Sequence, residues 1–80
     1  MTQKIKQDAN IGGNIRKFRN EKCLSQEQVV THLQLEGIDM SRSIYSQIEC
    51  GTYSIRVTEL IALSKLFQTD INSFFEGVPF

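Results

Sequence analysis

Tryptophan is absent, proline occurs once, and the charges cancel, with nine lysines and arginines against nine acids in 80 residues. Each shortage excludes something. The single proline is Pro79, so nothing in the interior breaks a helix. The two cysteines, Cys23 and Cys50, lack CxxC spacing, and the only histidine, His32, is too far from them in sequence to complete a zinc set. Neither a disulfide framework nor a metal is expected, and no cofactor. No apolar run approaches the ~18 residues of a membrane span. Lys4 and Lys6 have no apolar stretch behind them, so the start of the chain does not read as a secretory signal. The expected location is the cytoplasm, with no membrane partner. There is no GxSxG and no phosphate loop, and no enzyme is expected.

A neutral chain lacks the basic footprint common in nucleic-acid binders. The charges are not spread evenly, however. Up to Lys22 the chain carries Lys4, Lys6, Arg16, Lys17, Arg19 and Lys22 against Asp8 and Glu21. From Cys23 onward it carries Arg42, Arg56 and Lys65 against seven acids. Such polarity lets a small protein present one basic face.

Hydrophobic spacing predicts helices throughout. Residues 1–9 are polar and read as a flexible arm, and 77–80 as a tail. Between them lies one domain over 10–76. Asn10 is a candidate cap for a helix over 11–22, in which Ile11, Ile15 and Phe18 share a face. Gly12 and Gly13 weaken its first turn, which points to something packed closely there. Ser25 and Gln28 form a capping box for a helix over 26–35, with Val29, Val30 and Leu33 inward and Gly37 as its stop. Ser41 caps a third helix over 42–49, and Gly51 ends it. A fourth runs over 57–67, with Leu60, Leu63, Ser64 and Phe67, and Asp70 caps a fifth over 71–75. No segment alternates with period two, so no sheet is expected.

In the third helix, 100° per residue places Ile44, Tyr45 and Ile48 on one side. Arg42, Ser43, Ser46 and Gln47 fall on the other. Arg and Gln can each make two parallel hydrogen bonds to a purine edge, and Ser can donate or accept. No carboxylate lies within that face.

The stretches Ile11–Arg19, Leu24-Ser25-Gln26-Glu27-Gln28-Val29 and Ser41–Gly51 resemble the phage-repressor and Cro-like helix-turn-helix family. Glu59–Phe67, Ile71 and Phe74 fit that family's fourth and fifth helices. The resemblance implies an all-α, compact five-helix lambda-repressor-like domain and a sequence-specific transcriptional regulator of repressor type. It places helix three in the major groove of double-stranded DNA, with Ser41, Arg42, Ser43 and Gln47 at base edges. Ser25, Gln26 and Ser46 would hold phosphates. Arg19 and Glu49 would form a salt bridge tying helix one to helix three.

The chain departs from the family in three places. The connection over 34–40 is long, and Glu36 and Asp39 within it bring negative charge. Val30 stands where alanine is usual. Cys23 stands where the first turn usually has glycine, so a non-glycine residue would bear an unusual backbone angle. The apolar end, Phe74, Phe75, Val78 and Phe80, could close the core or form a homodimer contact. A second reading keeps the fold and makes it a protein-interaction module, of antitoxin or anti-repressor type, with a protein partner instead of DNA.

Overall fold

The computed structural model describes residues 4–5 and 11–77. Among the described residues four α-helices follow one another: α1 (Ile11–Glu21), α2 (Gln26–Leu35), α3 (Arg42–Cys50) and α4 (Val57–Phe67). The fifth helical segment, Ile71–Phe75, is a 3₁₀ helix capped by Asp70, whose carboxylate accepts from the Asn72 amide at 3.1 Å. The class is all-α. One expectation is corrected: a two-residue antiparallel ladder joins β1 (Lys4–Ile5) to β2 (Ile55–Arg56). Two residues are too few to show a period of two in the sequence. Of the expected arm only Lys4–Ile5 are described, and Asn10 lies outside the described residues.

The core gathers one stripe from each helix. Ile11 and Ile15 of α1, Val29 and Leu33 of α2, Tyr45 and Ile48 of α3, and Leu60, Leu63 and Phe67 of α4 are all buried. Phe74 closes it from the 3₁₀ helix, edge-to-face with Phe18 at 5.5 Å and Phe67 at 6.4 Å between ring centres. Such pairs add about 0.5–1.5 kcal/mol beyond area burial. Phe74 is therefore a core residue, and its expected place in a dimer contact is corrected. Phe75 is half-buried against the same core, while Val78 and Phe80 lie outside the described residues.

Gly12 explains how α1 and α3 come so close. A Cβ there would stand 2.5 Å from the Ile48 carbonyl oxygen and 2.6 Å from that of Glu49. Backbone cannot yield as a flexible side chain can, so only glycine fits. All four α-helices are followed closely by a left-handed residue: Cys23 after α1, Gly37 after α2, Gly51 after α3 and Gln68 after α4. Glycine adopts this conformation without a Cβ penalty, whereas Cys23, at φ 56°, does not.

The long connection between α2 and α3 is pinned down. The Ile38 amide donates to the Leu33 carbonyl at 3.0 Å, closing the turn at Gly37. Gln34 Nε2 donates to the Met40 carbonyl at 2.9 Å, and the Met40 side chain is buried. These anchors deliver the chain to Ser41, whose hydroxyl accepts from the Ile44 amide at 3.1 Å and starts α3.

Candidate nucleic-acid interface

The geometry of the site begins at a buried carboxylate. The Glu49 side chain is fully enclosed, and Arg19 meets it with two bonds: Nε to Oε2 at 2.6 Å and Nη2 to Oε1 at 3.2 Å. The remaining Arg19 nitrogen, Nη1, donates to the Leu24 carbonyl at 2.8 Å, in the turn between α1 and α2. Arg16 approaches Oε1 at 3.5 Å from the exposed side. Gln26, at the start of α2, donates Nε2 to the same oxygen at 3.0 Å. One carboxylate thus joins α1, α2 and α3.

Burial alone would raise the pKa of Glu49. The bonds from Arg19 first, then the Tyr45 hydroxyl dipole and Gln26, outweigh it, and the carboxyl is held below its usual range. The hydrogen bond to Glu49 likewise raises the Arg19 guanidinium, against its own burial. The Tyr45 hydroxyl lies buried beside the pair but has no partner in hydrogen-bond geometry among the described residues. Burial, then the neighbouring Glu49 charge, keep it un-ionised well above the usual phenol range.

Around this centre α3 shows its polar face. Ser41, Arg42, Ser43 and Gln47 are exposed and Ser46 half-exposed, while Tyr45 and Ile48 point inward. Ser43, Ser46 and Gln47 have no side-chain hydrogen bond to any described residue. Ser41 and Ser25 are placed differently: each hydroxyl oxygen caps a helix, accepting from the Ile44 and Gln28 amides respectively. Only their O–H protons remain to donate. Gln28 completes the capping box, its Oε1 accepting from the Ser25 amide at 2.8 Å.

Gln26 and Arg42 are also committed. Gln26 spends an N–H on Glu49, and its Oε1 accepts from Arg42 Nε at 3.0 Å. The Arg42 Nη1 lies 3.6 Å from Glu27 Oε1. No carboxylate lies within α3's polar face, but α2 sets Glu27 against Arg42 from outside the helix. Glu27 is fifteen residues away from Arg42, and nothing in the local pattern announces their meeting. Arg16 could have been found, because it lies three residues before Arg19 on the same side of α1. Asn14 was also missed: its Nδ2 donates to the Phe74 and Glu76 carbonyls at 2.8 and 2.9 Å and ties α1 to the chain's end. Glu36 and Asp39 line a groove of about 570 Å³ shared with α4, whose wall includes Arg56 and Lys65.

No family model matches the chain. No curated protein matches it either. Solved structures do. The chain is similar to the restriction-modification controller protein C.AhdI from Aeromonas hydrophila, at 26% identity and TM-score 0.68, over 82% of this chain and 92% of that one. It is also similar to an HTH_3 family transcriptional regulator from Vibrio cholerae, at 24% identity and TM-score 0.65. That match covers 84% of this chain but 35% of the regulator's length. With α2 and α3 set around one buried ion pair, the chain has the helix-turn-helix fold of the phage-repressor and Cro-like proteins.

Proposed function

We propose that the protein is a sequence-specific DNA-binding transcriptional regulator of repressor type, acting in the cytoplasm as a homodimer. The observation that carries this reading is the outer face of α3. It offers Arg42, Ser43 and Gln47 to solvent on a helix whose other side is locked into the core. In this reading α3 enters the major groove. Arg42 and Gln47 supply bidentate donors and acceptors for base edges, and Ser43 and the Ser41 hydroxyl proton add single bonds. The N-terminus of α2 lies against the backbone, where its first-turn N–H groups, which have no partner within a helix, favour a phosphate. The Ser25 and Ser46 hydroxyls and the second N–H of Gln26 can donate to the same phosphates.

The similarity to a restriction-modification controller protein supports regulation over catalysis. A homodimer would read two half-sites about 34–36 Å apart, so its operator would be roughly palindromic. The test is selection from a random duplex library, followed by gel shifts over a salt series. A palindromic site whose affinity falls steeply with salt supports the reading. Failure to enrich any site, together with recovery of one stoichiometric protein partner, would replace it with the interaction-module reading.

A further inference from the structure

Arg42 is gripped from one side. Gln26 cannot rotate its amide freely, because Glu49 is a pure acceptor and must receive the Nε2–H. The Gln26 carbonyl oxygen is thereby aimed at Arg42 Nε, 3.0 Å away. Glu27, the next residue of α2, stands 3.6 Å from Nη1, close enough to pair by charge though not to accept a hydrogen bond. A guanidinium has five N–H protons in a planar fork. Nε is thus hydrogen-bonded and Nη1 paired by charge from α2, while the Nη1 and Nη2 protons donate to no described residue. They suffice for two parallel bonds to one base edge.

Resting on the DNA-binding reading above, we propose that Glu27 is a positioning residue: with Gln26 it clamps Arg42 so that the arginine reads one base instead of sampling phosphates. Two physical effects act in the same direction. The clamp removes rotamer freedom that Arg42 would otherwise lose on reaching the base, which favours the specific complex. The carboxylate also cancels part of the arginine's charge and repels phosphate, which weakens binding to arbitrary sequence. Glu27 therefore raises the ratio of specific to non-specific affinity without touching a base.

The test compares Glu27→Gln with wild type on the selected duplex and on a scrambled one, alone and in an Arg42→Ala background. Glu27→Gln keeps the shape and removes the charge. The affinity ratio is expected to fall about two- to fivefold, the range of an exposed ion pair. The preference at the base pair read by Arg42 should weaken with it, at unchanged melting temperature. In the Arg42→Ala background the ratio should no longer respond to Glu27→Gln. An equal gain on both duplexes, or the same ratio change without Arg42, would reduce Glu27 to a general charge effect and overturn the proposal. If wild type selects no site, the DNA-binding reading itself fails, a different outcome from a wild type that selects one and a Glu27→Gln that leaves the ratio untouched.

Discussion

Two arginine–glutamate pairs lie a few side chains apart and do opposite work. Arg19 and Glu49 meet at 2.6 Å with 13% and 0% of their side chains exposed. Arg42 and Glu27 stand 3.6 Å apart with 60% and 78% exposed. Gln26 touches one member of each. The same two residue types therefore serve once as internal framework and once as surface, and burial decides which. A buried carboxylate stripped of its partner is left uncompensated in a medium that solvates it poorly, whereas an exposed one is simply hydrated.

Breaking the buried pair should have the largest effect. Arg19→Ala is expected to cost about 3–5 kcal/mol without any DNA, the usual range when one partner of a buried pair is removed. In a domain of this size each kcal/mol shifts Tm by roughly 4–8 °C, so thermal melting should show a large drop or no cooperative transition. An unchanged Tm would sink the structural role of the pair. Acid should act on the same pair more gradually. The Glu49 carboxyl lies below its ordinary value of 4.5. Its contribution is complete above that pH and is lost as pH falls through the lower folded-state value. The rise of Arg19 from 12.5 adds a contribution present at all lower pH, so it leaves the acid limb to the carboxylates. Wild type should therefore lose more stability than Arg19→Ala as pH falls below 4.5, by chemical denaturation at each pH.

Next in size is the approach of α1 to α3 that brings Arg19 to Glu49. Gly12→Ala forces a Cβ against two backbone carbonyls and is expected to cost about 1–3 kcal/mol, as overpacking does. A smaller gain is expected from Cys23→Gly, which relieves a left-handed non-glycine residue beside the turn that Arg19 holds. About 1 kcal/mol of stabilisation should appear as a raised denaturant midpoint with unchanged slope. Smallest of all, Glu27→Gln should leave stability within about 0.5 kcal/mol, since exposed pairs contribute little. A large loss there would erase the contrast between the two pairs.

Much of this frame was legible in the residues. Ser25-x-x-Gln28 marks the start of α2 because a capping box is a local device, complete within four residues. Period alone separates Tyr45 and Ile48 from Arg42, Ser43 and Gln47. Gly12 signalled a close approach because it is a poor choice on local grounds, and Cys23 a strained turn because it stands where the family it resembles usually has glycine. What could not be read depended on residues distant in sequence. Glu27 beside Arg42, Gln26 turned toward Glu49 and Asn14 on the Phe74 carbonyl each need the helices already placed. Phe74 looked like surplus apolar surface near the chain's end, because no sequence pattern shows that Phe18 and Phe67 leave a gap for it. The two-residue ladder at Ile55–Arg56 is too short to leave a pattern.

The division of labour between the two pairs is tested most directly on Arg42→Ala, by melting the protein without DNA and by titrating its selected duplex with each base pair replaced in turn. The expected result is a Tm within a few degrees of wild type and a loss of about 1–3 kcal/mol in affinity, with discrimination gone at one base pair and kept at the others. A uniform loss across all sequences would make Arg42 a phosphate contact, and a collapse of Tm would make it framework like Arg19. Either result would contradict the account.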